Sequence, residues 1–199
     1  MQAILVHGMG RTPLSMLLLA RRLHAAGIRP NLFAYSATFE RYESCRARLR
    51  RFCERRAGDE FVMVGHSLGC VLIRAVVAQL EVKPRSCFFL APPSCACTAA
   101  RTFSRYGLYR LLTGEMGQLL ADDEFMRSLP SPAIPTKIYA GDAGPRGRFS
   151  LHGLEMNDGV LAVAETRIGS NPVQVVPSIH TFIMNSALVT RDIVAATPS

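Results

Sequence analysis

Five consecutive residues, Gly65-His66-Ser67-Leu68-Gly69, restrict what this chain can fold into more than anything else in it. A strand-like run, Glu60 to Val64, leads into them. The segment that follows, Cys70 to Ala78, is apolar on nearly every side and is expected to be a buried helix. A serine at so sharp a strand-to-helix turn sits on strained backbone with its hydroxyl clear of both elements, the geometry of a nucleophile elbow. Gly65 and Gly69 remove the side-chain bulk that would stop the turn from closing and the helix from packing on the sheet. The bare pattern G-x-S-x-G also arises by chance, and any α/β protein has Gly-bounded turns. The strand before it and the buried helix after it are the context that the motif demands.

A second, independent stretch lies at the N-terminus. Met1 to Val6 reads as a buried strand that ends at once in His7-Gly8-Met9-Gly10. Acyl transfer through a tetrahedral intermediate needs two preorganised donors for the developing oxyanion, and amides of a Gly-rich loop beside the elbow supply them. The expected pair is the backbone N–H groups of Met9 and Leu68. His7, at a strand end directly before a glycine, is expected to brace this loop rather than to act as a base.

With these two stretches the chain resembles the α/β-hydrolase superfamily, and within it the small lipases and lipase-like esterases related to the GPI inositol-deacylase type. The resemblance covers nearly the whole chain. It implies a triad in the order serine, acid, histidine, so the acid and base lie C-terminal to Ser67. His180, just after the last expected strand, is the base it points to. His24 on an early helix, His66 inside the elbow and His152 in a Gly-rich loop fit poorly. Two residues compete as the acid. Asp158 stands in Asn157-Asp158-Gly159-Val160, like the Asp-Gly-Val segment of lipase-like families, and is preferred. Asp142, at the end of the strand through Lys137 to Gly141, is the alternative, with a plain role in bonding the loop amides around it.

The resemblance therefore implies a serine ester hydrolase that forms an acyl-enzyme on Ser67 and needs neither cofactor nor metal. Carboxylic esters, lipid esters and thioesters share this chemistry, as does acyl transfer. A non-catalytic scaffold of the same fold, binding a hydrophobic ligand or a partner, is the competing reading.

Strands and helices alternate along the chain, which argues for a parallel sheet with helices on both faces. Helices are expected from Thr12 to Ala26, stopped by Gly27, and from Glu40 to Ala57, with Tyr42, Cys45, Leu49 and Phe52 as its apolar stripe. Further strands are expected at Asn31 to Tyr35, Cys87 to Leu90, Thr136 to Ala140 and Val173 to Val176, then a last helix from Thr181 to Ala195. The result is a minimal α/β-hydrolase fold, about six-stranded and mostly parallel. It forms a single domain over 1–199, for 49% hydrophobic content in 199 residues sustains one core. The motif loops all leave the carboxyl ends of strands, where ligands bind in open parallel sheets. The long insertion 94–130 reads both as a small helical cap forming an acyl-binding wall and as ordinary sheet-covering helix.

The sequence opens inside its first strand, without a secretory leader or a bilayer-length apolar run. Six cysteines at unpaired spacing read as reduced core fillers in a cytoplasmic protein. Cys95-Ala96-Cys97 lacks the matching ligand pair of a zinc site. The formal charge of +8 gathers between Arg41 and Arg56, a surface for weak association with anionic membranes. A solvated face in an arginine-favouring proteome accounts for it as well, since only 2 of the 23 basic residues are lysine. No nucleic-acid motif accompanies the charge, and no nucleic-acid partner is expected.

Overall fold

The structure, a computed structural model, describes residues 1–148 and 150–197, so the domain expected over 1–199 lies outside the described residues at 149, 198 and 199. Six strands form one sheet: β1 (Gln2–Val6), β2 (Arg29–Phe33), β3 (Phe61–His66), β4 (Ser86–Leu90), β5 (Thr136–Gly141) and β6 (Val173–Val176). Their order is β2-β1-β3-β4-β5-β6, and every pairing is parallel. β3 is buried along its whole length and β4 from Cys87 onward, as strands covered on both faces must be. The helices are α1 (Leu17–Ala25), α2 (Tyr42–Arg56), α3 (Leu68–Val77), α4 (Thr98–Phe103), α5 (Gly107–Leu119), α6 (Asp123–Ser128) and α7 (Ala187–Ala195). α1 packs with α7, and α2 with α3. This is a minimal α/β-hydrolase fold.

The strand order places the site. From β1 the chain crosses outward to β2, then returns to lay β3 on the other side of β1. The crevice at the carboxyl ends of β1 and β3 is therefore the switch point of the sheet, where open α/β folds bind ligands. Residues 7–10 and the turn at Ser67 both stand there. Their close approach depends on glycine: a Cβ on Gly69 would lie 2.3 Å from the Val6 carbonyl oxygen, and one on Gly65 would lie 2.8 Å from the Cys70 nitrogen.

Several boundaries differ from expectation for identifiable reasons. β2 starts earlier, because its register pairs Gln2 with Arg29 through Val6 with Phe33. It is an edge strand, which tolerates Pro30. The buried stripe of α2 is Tyr42, Cys45, Leu49 and Cys53; Phe52 is half-buried and meets Phe33 edge-on at 5.4 Å. The first helix opens as a 3-10 turn, Pro13–Met16, without a side-chain cap from Thr12. The last helix is broken: a 3-10 turn over His180–Asn185 precedes α7, separated by Ser186 with extended backbone (φ −61°, ψ 128°).

The insertion 94–130 contributes in two ways. Met116, Leu120, Met126 and Leu129 enter the core, while Phe103 and Tyr109 stack at 6.3 Å and face the cavity described below. Arg74 of α3, buried, donates from Nε and Nη2 to the carbonyls of Pro130 and Leu129 and fixes the end of the insertion. α5 bends at Gly114 (φ 58°, ψ −151°) and leaves Tyr106, Leu108, Leu111 and Leu112 exposed.

Candidate active site

Ser67 joins β3 to α3 with φ 51° and ψ −118°, a region that L-residues occupy only under constraint. The constraint is visible on both sides: its amide donates to the Leu90 carbonyl at 2.9 Å, and its carbonyl accepts from the Cys70 amide at 2.9 Å. The turn carries Ser67 to the edge of a cavity of about 300 Å³, whose lining also includes Met9, His180 and the α4–α5 side chains.

His180 and Asp158 meet across 22 residues of chain. His180 Nδ1 lies 2.7 Å from Asp158 Oδ2. The carboxylate's other oxygen accepts the amides of Val160 and Leu161 at 2.9 and 2.7 Å, and the His180 amide donates to the Asp158 carbonyl at 2.8 Å. An ionised carboxylate can only accept, so the imidazole proton is assigned to Nδ1 and Nε2 keeps its lone pair. Asp158 is buried and His180 nearly so. Ser67 Oγ makes no direct hydrogen bond to Nε2 among the described residues; contacts of this kind commonly tighten only in the substrate complex.

Asp142 stands elsewhere. Its amide donates to the Val176 carbonyl at 3.2 Å and its carbonyl accepts from Arg146 at 3.3 Å. Among the described residues its carboxylate accepts none of the loop amides expected of it. The amides of Met9 and Leu68 have no acceptor among the described residues. His7 does not line the cavity: its ring stacks on Tyr35 at 4.3 Å, Nδ1 donates to the Gly8 carbonyl, and Tyr35 donates to the His7 carbonyl at 2.8 Å. It braces the loop. Burial lowers its pKa below the ordinary histidine value.

Three supports have no counterpart in the sequence reading. His66, buried next to His180 at the edge of the cavity, donates from Nε2 to the His180 carbonyl at 3.0 Å, and its ring lies 4.9 Å from that of His180. The carbonyl acceptor assigns the proton to Nε2 and leaves Nδ1 buried without a partner among the described residues. Burial, with the neighbouring His180, holds its pKa well below the ordinary value, so the ring is neutral. Asn157, fully buried, accepts the Gly159 amide and donates to the carbonyls of Pro145 and Glu155, each at 2.9 Å, shaping the loop that presents Asp158. Glu165 ties that loop to α4, accepting the amide and hydroxyl of Thr98 at 2.7 Å each and the Ala162 amide at 3.0 Å. An Asn-Asp-Gly turn is visible in sequence; the His66 and Glu165 contacts span 114 and 67 residues and are not.

All six cysteines are unpaired, five of them buried, and burial raises the thiol pKa values above the ordinary range. Among the described residues no helix is long and apolar enough to cross a membrane.

A serine on a strained turn, an imidazole held by a carboxylate and two amides without an acceptor among the described residues thus stand together around one cavity at the carboxyl ends of a parallel sheet. Residues 3–189 match the alpha/beta hydrolase family, and the chain belongs to that family. It is similar in fold to an extracellular alpha/beta-hydrolase from a Paenibacillus species, itself described as sharing structural and functional homology with tobacco salicylic acid binding protein 2 (TM-score 0.66, 14% identity, 100% of each chain covered). It is similar also to the Bacillus licheniformis lipase BlEst2 in its propeptide form (TM-score 0.73, 14% identity, 100% of this chain and 50% of that one). A third similar structure is the thioesterase domain from the curacin biosynthetic pathway (TM-score 0.63, 14% identity, 98% and 90% covered). No curated protein matches the chain in sequence.

Proposed function

We propose that this hydrolase is a serine ester hydrolase of the lipase-like esterase branch. The observation that carries the reading is the convergence of the strained Ser67 and the Asp158-held His180 on one largely apolar cavity. Ser67 Oγ attacks the acyl carbon while its proton passes to His180 Nε2, and the amides of Met9 and Leu68 hold the oxyanion. The carbon–oxygen bond to the alcohol then breaks, and Nε2 gives its proton to the departing oxygen. Water attacks the acyl-Ser67 carbonyl, its proton passing through Nε2 to Ser67 Oγ, and the acid leaves. Asp158 keeps the ring in the required tautomer and stabilises the imidazolium throughout.

Residues 97–120 supply the acyl wall, through Ala99, Ala100, Phe103, Tyr109 and Leu120. This apolar wall suits the acyl portion of a substrate, whether the leaving atom is oxygen or the sulfur of a thioester. The unpaired, buried thiols support a reducing, cytoplasmic location. On and just before α2, Glu43 and Glu54 pair with Arg46 and Arg50, and Glu40 with Arg48, which among the described residues leaves Arg41, Arg51, Arg55 and Arg56 without an ion pair and suited to weak contact with anionic surfaces.

A fluorophosphonate is the decisive reagent. Stoichiometric labelling of Ser67, with labelling and p-nitrophenyl butyrate turnover both lost in Ser67→Ala, is the expected result. A folded wild-type protein that neither labels nor turns over esters refutes the reading and favours a ligand-binding scaffold.

A further inference from the structure

Among the described residues that line the cavity, Arg11 alone carries a permanent charge. No aspartate, glutamate or lysine faces it there. Arg11 directly follows the loop that presents the Met9 amide, and its Nη2 donates to the Thr181 carbonyl at 3.1 Å. Thr181 is the chain neighbour of His180, so the guanidinium is fixed on the wall that carries the imidazole. One hydrogen bond occupies one of its five donors. The side chain is only part-buried, and among the described residues its other N–H groups have no acceptor and face an incoming one.

A purely structural tether is a poor account of this residue. The 180–185 turn is already tied by His66 at the His180 carbonyl, and from α1 by Arg22, which donates to the Asn185 carbonyl at 2.6 Å. Neither of those ties brings a charge to the cavity, and Arg22 does not line it. A guanidinium placed in a largely apolar site that holds no other permanent charge among the described residues is a recognition element for a carboxylate or phosphate, which it meets through paired N–H···O bonds. The formal charge of +8 favours the approach of such an anion.

The direction follows from the reaction. His180 must hand its proton to the departing oxygen, so the alcohol lies on the His180 side of the cavity and the acyl chain on the side of Phe103 and Tyr109. Resting on the hydrolase reading above, we propose that Arg11 makes the site selective for esters whose alcohol portion carries an anionic oxygen group. The apolar α4–α5 wall takes the acyl chain, and the Arg11 guanidinium takes the anion.

Two pairs of acetate esters test this. 4-Acetoxybenzoate against its methyl ester reports on a carboxylate, and 4-acetoxyphenyl phosphate against 4-methoxyphenyl acetate reports on a phosphate. Intrinsic reactivity cancels when the anionic-to-neutral ratio of kcat/KM is compared between wild type and variant. The ratio is expected to fall about tenfold in Arg11→Gln, the low end for a charge-assisted hydrogen bond at a part-exposed site, with the change in KM. Arg11→Lys retains part of it, because the charge survives and the fork does not. The pair that responds identifies the anion. Calorimetric binding of the amide analogues 4-acetamidobenzoate and methyl 4-acetamidobenzoate reads the same preference without turnover. A ratio unchanged by Arg11→Gln in both ester pairs and in binding, with the variant folded by circular dichroism, overturns the inference. An Arg11-dependent binding preference in a protein that turns over no ester upholds the anion site and refutes the hydrolase reading instead.

Discussion

Asp158→Asn separates two tasks that one carboxylate performs. Oδ1 accepts the amides of Val160 and Leu161, and Oδ2 accepts the Nδ1 proton of His180. Asparagine has a single acceptor oxygen, and the two converging amides fix it at the Oδ1 position. Its NH₂ then points at His180, Nδ1 has to accept, and the ring proton moves to Nε2. That is the nitrogen that must take the Ser67 proton. The wrong tautomer lowers kcat by about 10⁴-fold in a well-studied triad, or about 5 kcal/mol of transition-state stabilisation. The fold loses far less, because all three hydrogen bonds of the side chain are kept and only lose their charge assistance, at a net cost of about 1–2 kcal/mol. In a chain of this size that lowers Tm by roughly 2–8 °C. The assay is kcat for p-nitrophenyl butyrate beside a calorimetric Tm, with Asp142→Asn as the comparison. Among the described residues both hydrogen bonds of Asp142 use its main chain, so that variant is expected to keep kcat within about threefold, as for a surface change without a buried partner. A folded Asp158→Asn enzyme within tenfold of wild type, or a larger loss in Asp142→Asn, would refute the assignment.

Two further outcomes follow from the same contacts. Ser67 holds φ 51° and ψ −118°, where an L-residue carries about 1–3 kcal/mol of strain, so Ser67→Gly is expected to melt above Ser67→Ala although both are inactive; the reverse order in calorimetry removes the strain argument. His66 stays neutral in the fold while its unfolded counterpart takes up a proton below about pH 6.5, so the stability it permits is complete above that value and declines as pH falls toward its depressed folded pKa. The slope approaches about 1.4 kcal/mol per pH unit for this one group, and urea titrations of His66→Gln from pH 7 to 5 should show a shallower decline than wild type; equal slopes would mean the ring is not held neutral.

What the sequence makes legible is what its neighbours enforce. Strand, turn and helix around Ser67 lie within about twenty residues, and each carries its own signal: a β-branched run, two glycines, an apolar helix. The six strands are readable for the same reason. β2 is the exception, because Pro30 argues against a strand until the edge position is known. The sequence prefers Asp158 to Asp142 only by the likeness of its Asp-Gly-Val segment, because both lie in the connection between β5 and β6 and spacing does not say which part of it folds back. The structure shows the device: Asn157 and the left-handed Gly159 (φ 95°) turn the chain so that Asp158 meets His180 through side chain and main chain together. In the last helix, the stripe of apolar residues conceals the break at Ser186, since a 3-10 turn and an α-helix bury nearly the same positions over so short a run.

The hidden contacts share one purpose. Ser67 is set by its own turn, but the histidine and the acid ride on loops, which are mobile unless tied. His66 holds the carbonyl of His180, Asp158 holds its amide and its ring, and Glu165 joins the acid loop to the start of α4. Each tie ends on a main-chain group or on a ring already fixed at its other end. The imidazole therefore has little freedom except where Nε2 faces the cavity. A triad needs that rigidity, since a misplacement of about 1 Å costs on the order of 10²-fold in rate. The wall opposite is built differently: α5 bends at Gly114 and rests on the loop around Thr38, whose hydroxyl donates to the Leu112 carbonyl at 2.6 Å. On the reading proposed above, acyl-chain selection falls to the α4–α5 side of the cavity, while the chemistry and the recognition of an anion by Arg11 lie together on the His180 side. Changes at Phe103 or Tyr109 should accordingly alter KM among acyl chains and leave the Ser67–His180 geometry in place.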